Sequence, residues 1–168
     1  MFRSRMVLMT VTVGFLAVPL TLLWAEETGE LAKALNDTKV TLQGGLKASE
    51  AQGTPISAKF EIEDGKLQLS IYTMKGDDFL EVVADLQTGA IGKVERITDD
   101  DDLKEATDQK AAMAKAKVAL LTAAETAVNA NAESRAVSIV PELKNGQAMA
   151  EVTLLQGTAF KKVTEKLD

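Results

Sequence analysis

Apolar and polar residues alternate with a period of two over residues 56–63, where Ile56, Ala58, Phe60 and Ile62 interleave with Ser57, Lys59 and Glu61. This is the period of a strand with one buried face. Asp64-Gly65 interrupts the run and signals a hairpin, because glycine accepts positive φ. Leu67, Leu69 and Ile71 resume the alternation, Lys75-Gly76-Asp77-Asp78 makes a second turn, and residues 79–84 (FLEVVA) a third strand that Gln87-Thr88-Gly89 ends. Residues 90–97 supply an extension or fourth strand through Ile91, Val94 and Ile97. Short polar turns make neighbouring strands antiparallel, so residues 56–89 predict a three-stranded meander with one apolar face. Such a sheet needs a helix or a second sheet over that face.

Helical spacing appears on either side. Leu31, Ala34 and Leu35 suggest one or two turns in a polar lead-in, and residues 38–52 a second helix with Val40, Leu42, Leu46 and Ala48 as its apolar members. Gly44-Gly45 lies inside that helix, where glycine is costly unless close packing against the sheet requires it. Thr98 and the four aspartates that follow read as a boundary, solvated and suited to capping the next helix. Residues 103–130 contain no Gly or Pro and carry Met113, Leu120, Leu121, Ala124 and Val128 on one stripe. They predict one long helix, its charged first half an exposed spacer and its second half packed on a sheet.

The end of the chain repeats its first half. Residues 41–87 align on 122–168 without a gap at a constant offset of 81 (Thr41 to Thr122). The pairs Thr41/Thr122, Ala51/Ala132, Ser57/Ser138, Glu61/Glu142, Gly65/Gly146, Gly76/Gly157, Phe79/Phe160, Val82/Val163 and Leu86/Leu167 are identical. Both turn glycines are among them, and Asp64-Gly65 falls on Asn145-Gly146, as expected for one supersecondary unit used twice. Pro141 in place of Phe60 implies an edge strand or a bulge. The last segment, FKKVTEKLD, has lost much of its alternation, so the second unit reads as the weaker one.

Composition narrows the chemistry. The 168 residues include no Cys and no His, which excludes disulfides, thiolate chemistry, histidine metal sites and histidine bases. Arg3 and Arg5 precede a stretch without charge, and Leu23-Trp24-Ala25 before Glu26-Glu27 offers a cleavage site. Residues 1–25 thus read as a signal peptide, or as an uncleaved anchor in the inner membrane. Loss of Arg3 and Arg5 with that segment leaves 17 basic against 25 acidic residues, a net charge of −8. So acidic a domain is a poor partner for nucleic acid or for anionic lipid beyond the N-terminal segment.

A helix near residues 42–51, Gly65, the strand LQLSIYTM and the ending FLEVVADLQTGAI together resemble the PepSY domain family. The family's V-D-A-x-T-G-x-V ending is matched by Ala84-Asp85-Leu86-Gln87-Thr88-Gly89-Ala90-Ile91, with Leu86 where the family prefers Ala. The second unit matches only through the internal repeat and lacks the Asp and Thr-Gly ending. The resemblance implies an α+β chain of two cystatin-like units, each a helix on a three- to four-stranded antiparallel meander. On this reading residues 26–97 form the first unit, 98–117 an acidic linker and helical spacer, and 118–168 a second, degenerate unit. The family also implies a place outside the cytoplasm, periplasmic or secreted, and for some members a role as peptidase pro-regions or inhibitors.

No catalytic, cofactor-binding or metal-ligating residue is assigned, and no cofactor is expected. Glu61 with Asp85 as an acid–base pair has no second motif behind it. Asp77-Asp78 and residues 99–102 lack the staggered spacing of a Ca²⁺ loop and fit turn and capping chemistry better. The function expected is that of an exported, non-enzymatic binding or regulatory protein whose partner is a protein or peptide, with a peptidase as the sharper form. A periplasmic accessory that binds a small cation or another envelope protein is the alternative.

Overall fold

The computed structural model describes residues 20–168, with side chains from Thr28 on; most of residues 1–25, the expected signal peptide, lies outside the described residues. Four helices and seven strands follow in the order α1 (Leu20–Asp37), α2 (Leu42–Ser49), β1 (Thr54–Glu63), β2 (Lys66–Lys75), β3 (Asp78–Ala84), β4 (Ile91–Arg96), α3 (Asp100–Met113), α4 (Leu120–Ala130), β5 (Ser134–Lys144), β6 (Gln147–Gln156) and β7 (Ala159–Lys166). The strands form one antiparallel sheet in the order β4-β3-β2-β1-β5-β6-β7, so the chain is α+β.

The strands fall where alternation predicts them, and their turns show why. Asp64 and Gly65 both have positive φ, as do Asn145 and Gly146, the backbone of a tight two-residue hairpin. Gly76 and Gly157 close the next turn of each meander with φ of 64° and 61°. The pairings also recur at the offset of 81. Ala58 opposes Ile71 as Ile139 opposes Val152, and Ile71 opposes Val82 as Val152 opposes Val163. Register shifts fall between Pro55 and Ser57 in β1 and between Ala136 and Ser138 in β5, again 81 apart.

The two meanders meet where β1 pairs with β5, through Ala58 opposite Ile139 and Lys59 opposite Ser138. β5 is therefore an interior strand, which corrects the edge position that Pro141 suggests. Pro141 lies past the short stretch where β5 pairs with β1, so no bond of that pairing needs its missing N–H.

Helices cover both faces. α1, α2 and α4 lie over one, burying Leu35, Leu42, Leu46, Ala124 and Ala127 with Leu69, Ile71, Val82, Ile139, Val152 and Leu154 in a single core. Gly45 of α2 lets the helix approach: a Cβ there would stand 2.6 Å from Leu69 Cδ2. Arg135 ties the end of α1 down, donating to the carbonyls of Leu35, Thr38 and Val40 with its guanidinium 5.5 Å from the centre of the Phe60 ring.

Three expectations about helices change. The polar lead-in is part of an 18-residue helix that runs through the expected cleavage site at Ala25. The second helix is shorter than predicted and starts at Leu42, because Thr41 caps it by accepting from the Gly44 N–H. The stretch 103–130 is two helices, not one. α3 ends at Met113, and the Lys117 and Val118 amides instead donate to the Leu167 carbonyl beyond β7. The break lets the chain change faces. Ile71 lies under α2, whereas the next residue, Tyr72, clusters with Ile56, Phe79, Ile97 and Ala106 beneath α3. The Ser57 hydroxyl, on the Tyr72 side, donates to Gln109 of α3 at 2.7 Å. What reads as an exposed spacer is thus a cover for the second face, and α3 buries Ala106, Gln109 and Ala112 there.

Candidate functional site

The sheet offers two features to a partner, its outer edges and the part of the second face that α3 leaves open. Each follows from the topology. β4 and β7 have a strand on one side only, and a strand at an edge presents unpaired N–H and C=O groups along its free side.

β4 is exposed from Gly92 to Arg96, and Val94 is among the most exposed large apolar residues described, at 40%. Its charges are matched within the chain: Lys93 pairs with Glu95 at 2.7 Å and Arg96 with Asp78. β7 carries Lys161, Lys162 and Lys166 along a similarly exposed edge, while Leu167 just after it is fully buried.

On the open second face, carboxylates gather. Glu81 is only 6% exposed, with Tyr72 opposite it on β2 and Glu95 opposite it on β4. Glu61 is paired with Lys59 at 2.7 Å. Burial first, then the carboxylates of Glu61, Glu81 and Asp64, pushes the Glu63 carboxyl above its ordinary value, and a hydrogen bond from Gln68 works against the shift. Glu105 of α3 is raised too, by burial and then by Asp102.

The residues that the sequence singles out for chemistry have structural tasks. Asp85 sits in the β3–β4 turn, where its Oδ1 accepts from the Thr88 hydroxyl, the Thr88 N–H and the Gln87 N–H. Those bonds, the Thr88 hydroxyl first, hold its carboxyl below the ordinary value. Gly89 completes the turn with φ of 74°, donating to the Asp85 carbonyl, and Ala90 returns a bond to the Thr88 hydroxyl. The Asp-x-x-Thr-Gly piece is therefore a hairpin device. Glu61 lies in β1 on its ion pair with Lys59, while Asp85 spends its carboxylate on the β3–β4 turn.

Asp99 caps α3 by accepting from the Asp101 N–H, and Asp100 to Asp102 fill its first turn, where negative charge is favourable. Asp78 holds Arg96, and Asp77 lies 3.6 Å from Lys110. Among the described residues no group of three or more acidic side chains is placed to hold a metal ion.

Two features are not foreseen from the sequence. The burial of Glu81 breaks the rule that acidic strand residues face solvent, and only its cross-strand neighbours Tyr72 and Glu95 give it away. Arg135 falls where the repeat has Thr54, but most aligned positions differ, so the sequence does not mark its use.

Comparison with family models and with curated proteins gave no match. Among solved structures, the crystal structure of a candidate lipoprotein from Clostridium difficile 630 is similar at a TM-score of 0.42 and 12% identity, over 79% of this chain and 89% of that one. Among the described residues no helix is long and apolar enough to cross a membrane.

Proposed function

We propose that the protein is an exported, non-enzymatic binding protein made of two PepSY-like units. On this reading each unit is a helix over a meander, as in cystatin-like folds, and the chain regulates a secreted or envelope peptidase by taking an extended segment of it along the β4 edge. The observation that carries the reading is that edge. β4 is exposed from Gly92 to Arg96, has no strand on its outer side, and keeps its charged side chains paired within the chain. An incoming strand would add main-chain hydrogen bonds for affinity and contacts to alternate side chains for specificity. The charge pattern of residues 1–25 supports export, and the helix α2 over β1–β4 with the Asp85–Gly89 turn supports the family resemblance.

The test is capture and inhibition with a panel of secreted metallopeptidases. The expected result is that one is retained by the chain and slowed by it. Proline at Lys93 or at Val94 should abolish this in one of the two variants, since the N–H groups of neighbouring strand residues point to opposite sides. A panel in which nothing binds overturns the peptidase role.

A further inference from the structure

We propose that the β7 edge is a self-association surface, and that two copies of this chain pair β7 with β7 antiparallel about a two-fold axis at Val163. The inference goes beyond the binding role assigned to β4 and does not rest on it.

Three observations carry it. First, Lys161, Val163 and Glu165 share the face of β7 that looks toward the main core, opposite Leu154, Val152 and Ala150 of β6. Lys161 donates to the neutral Asn131 side chain, and among the described residues neither Lys161 nor Glu165 has an ion-pair partner. They are four residues apart in one strand, roughly 13 Å, and so cannot satisfy each other. The charges of the other edge strand, Lys93, Glu95 and Arg96 of β4, are already matched within the chain.

Second, the β7 sequence complements itself in one register. With Val163 opposite Val163, Lys161 of each copy lies opposite Glu165 of the other, and Lys162 lies opposite Thr164. Centring on Lys162 would set that lysine against itself, and centring on Thr164 would set Lys162 against Lys166. Opposite charges directly across a strand pair stabilise it and like charges destabilise it.

Third, the chain already uses this kind of joint. β1 and β5 pair with positions 81 apart, Ala58 and Ile139, directly opposite, and α2 and α4 end up on the same face. A joint at Val163 repeats that relation between two copies and again keeps α2 and α4 of each copy on one face.

Sedimentation equilibrium of the exported chain from micromolar to sub-millimolar concentration tests the proposal. The expected result is a monomer–dimer equilibrium weakened about tenfold by Lys161→Glu and about tenfold by Glu165→Lys, because each sets two like-charge pairs across the joint. The double variant K161E/E165K should recover the dimer, with circular-dichroism spectra unchanged throughout to show that each variant folds. A monomer at every concentration overturns the proposal, and so does a dimer that the single variants leave intact or that the double variant fails to restore. Any of these results leaves peptidase binding at β4 untouched.

Discussion

Ala58 and Ile139 face each other across the joint between β1 and β5, and they are 81 residues apart, the offset that relates the two halves of the chain. Equivalent positions placed opposite one another define a local two-fold relation between the meanders. Ile139 is fully buried there, in a core built from both halves. Replacing it with Ala should cost about 2–4 kcal/mol. Urea unfolding followed by circular dichroism and by NMR of both meanders should show one shared transition; two separate transitions would mean that the halves are independent.

Arg135 should be the residue that holds α1 to the sheet. Its three acceptors are all backbone carbonyls, so truncation leaves part-buried oxygens unpaired. Arg135→Met should destabilise by about 2 kcal/mol, and Arg135→Lys should recover little, since one ammonium lacks the fork that reaches three carbonyls. Limited proteolysis should then cut first near residues 36–40.

The strands were legible because their alternation and their Asp-Gly and Asn-Gly turns are local properties. The α2 glycines were only half legible: glycine reads first as a cost in a helix, and of the two it is Gly45 that packs on Leu69 and Ile71, while Gly44 meets the Thr41 cap. The role of α3 was not legible. Its buried residues are Asp102, Ala106, Gln109 and Ala112, too small or too polar to stand out, and Asp102 belongs to the run that reads as solvated; the buried face exists because the break after Met113 sends α3 and α4 to opposite faces. The β1–β5 joint was hidden as well. Pairing between distant strands leaves no local signal, and Pro141 pointed the wrong way because the joint is only two residue pairs long.

Glu63 should show in the pH dependence of stability. Its carboxyl is raised in the folded state, so folding favours its proton, and stability is lost as pH rises from the unfolded value through the folded one. Glu63→Gln should therefore raise the melting temperature at pH 7 and have no effect below the unfolded carboxylate pKa. A melting curve at each pH checks this, and an equal shift at both would refute it.

Asp85 carries the opposite shift, and its cause can be removed. The Thr88 hydroxyl is the leading contributor, followed by the Thr88 and Gln87 amides. Thr88→Val should move the Asp85 carboxyl up toward its ordinary value without returning it fully, as followed by NMR titration.

Glycine positions should separate by what surrounds them. A Cβ at Gly53 would stand 2.6 Å from the Met74 carbonyl oxygen, a backbone atom with little room to move, whereas nothing lies within 4 Å of one at Gly29. Gly53→Ala should cost about 1–3 kcal/mol, and Gly29→Ala, in exposed helix, should gain about 0.5–1 kcal/mol. Thermal melts of the two variants compare them directly.

Both meanders share one sheet, whose outer edges among the described residues are β4 and β7. The chain has no cysteine, which makes a paired substitution a clean probe of the joint. With Lys59→Cys and Ser138→Cys, which sit opposite each other in β1 and β5, mild oxidation should close a disulfide within each chain and raise the melting temperature. Two thiols that stay free and titratable in the folded, oxidised protein would contradict it.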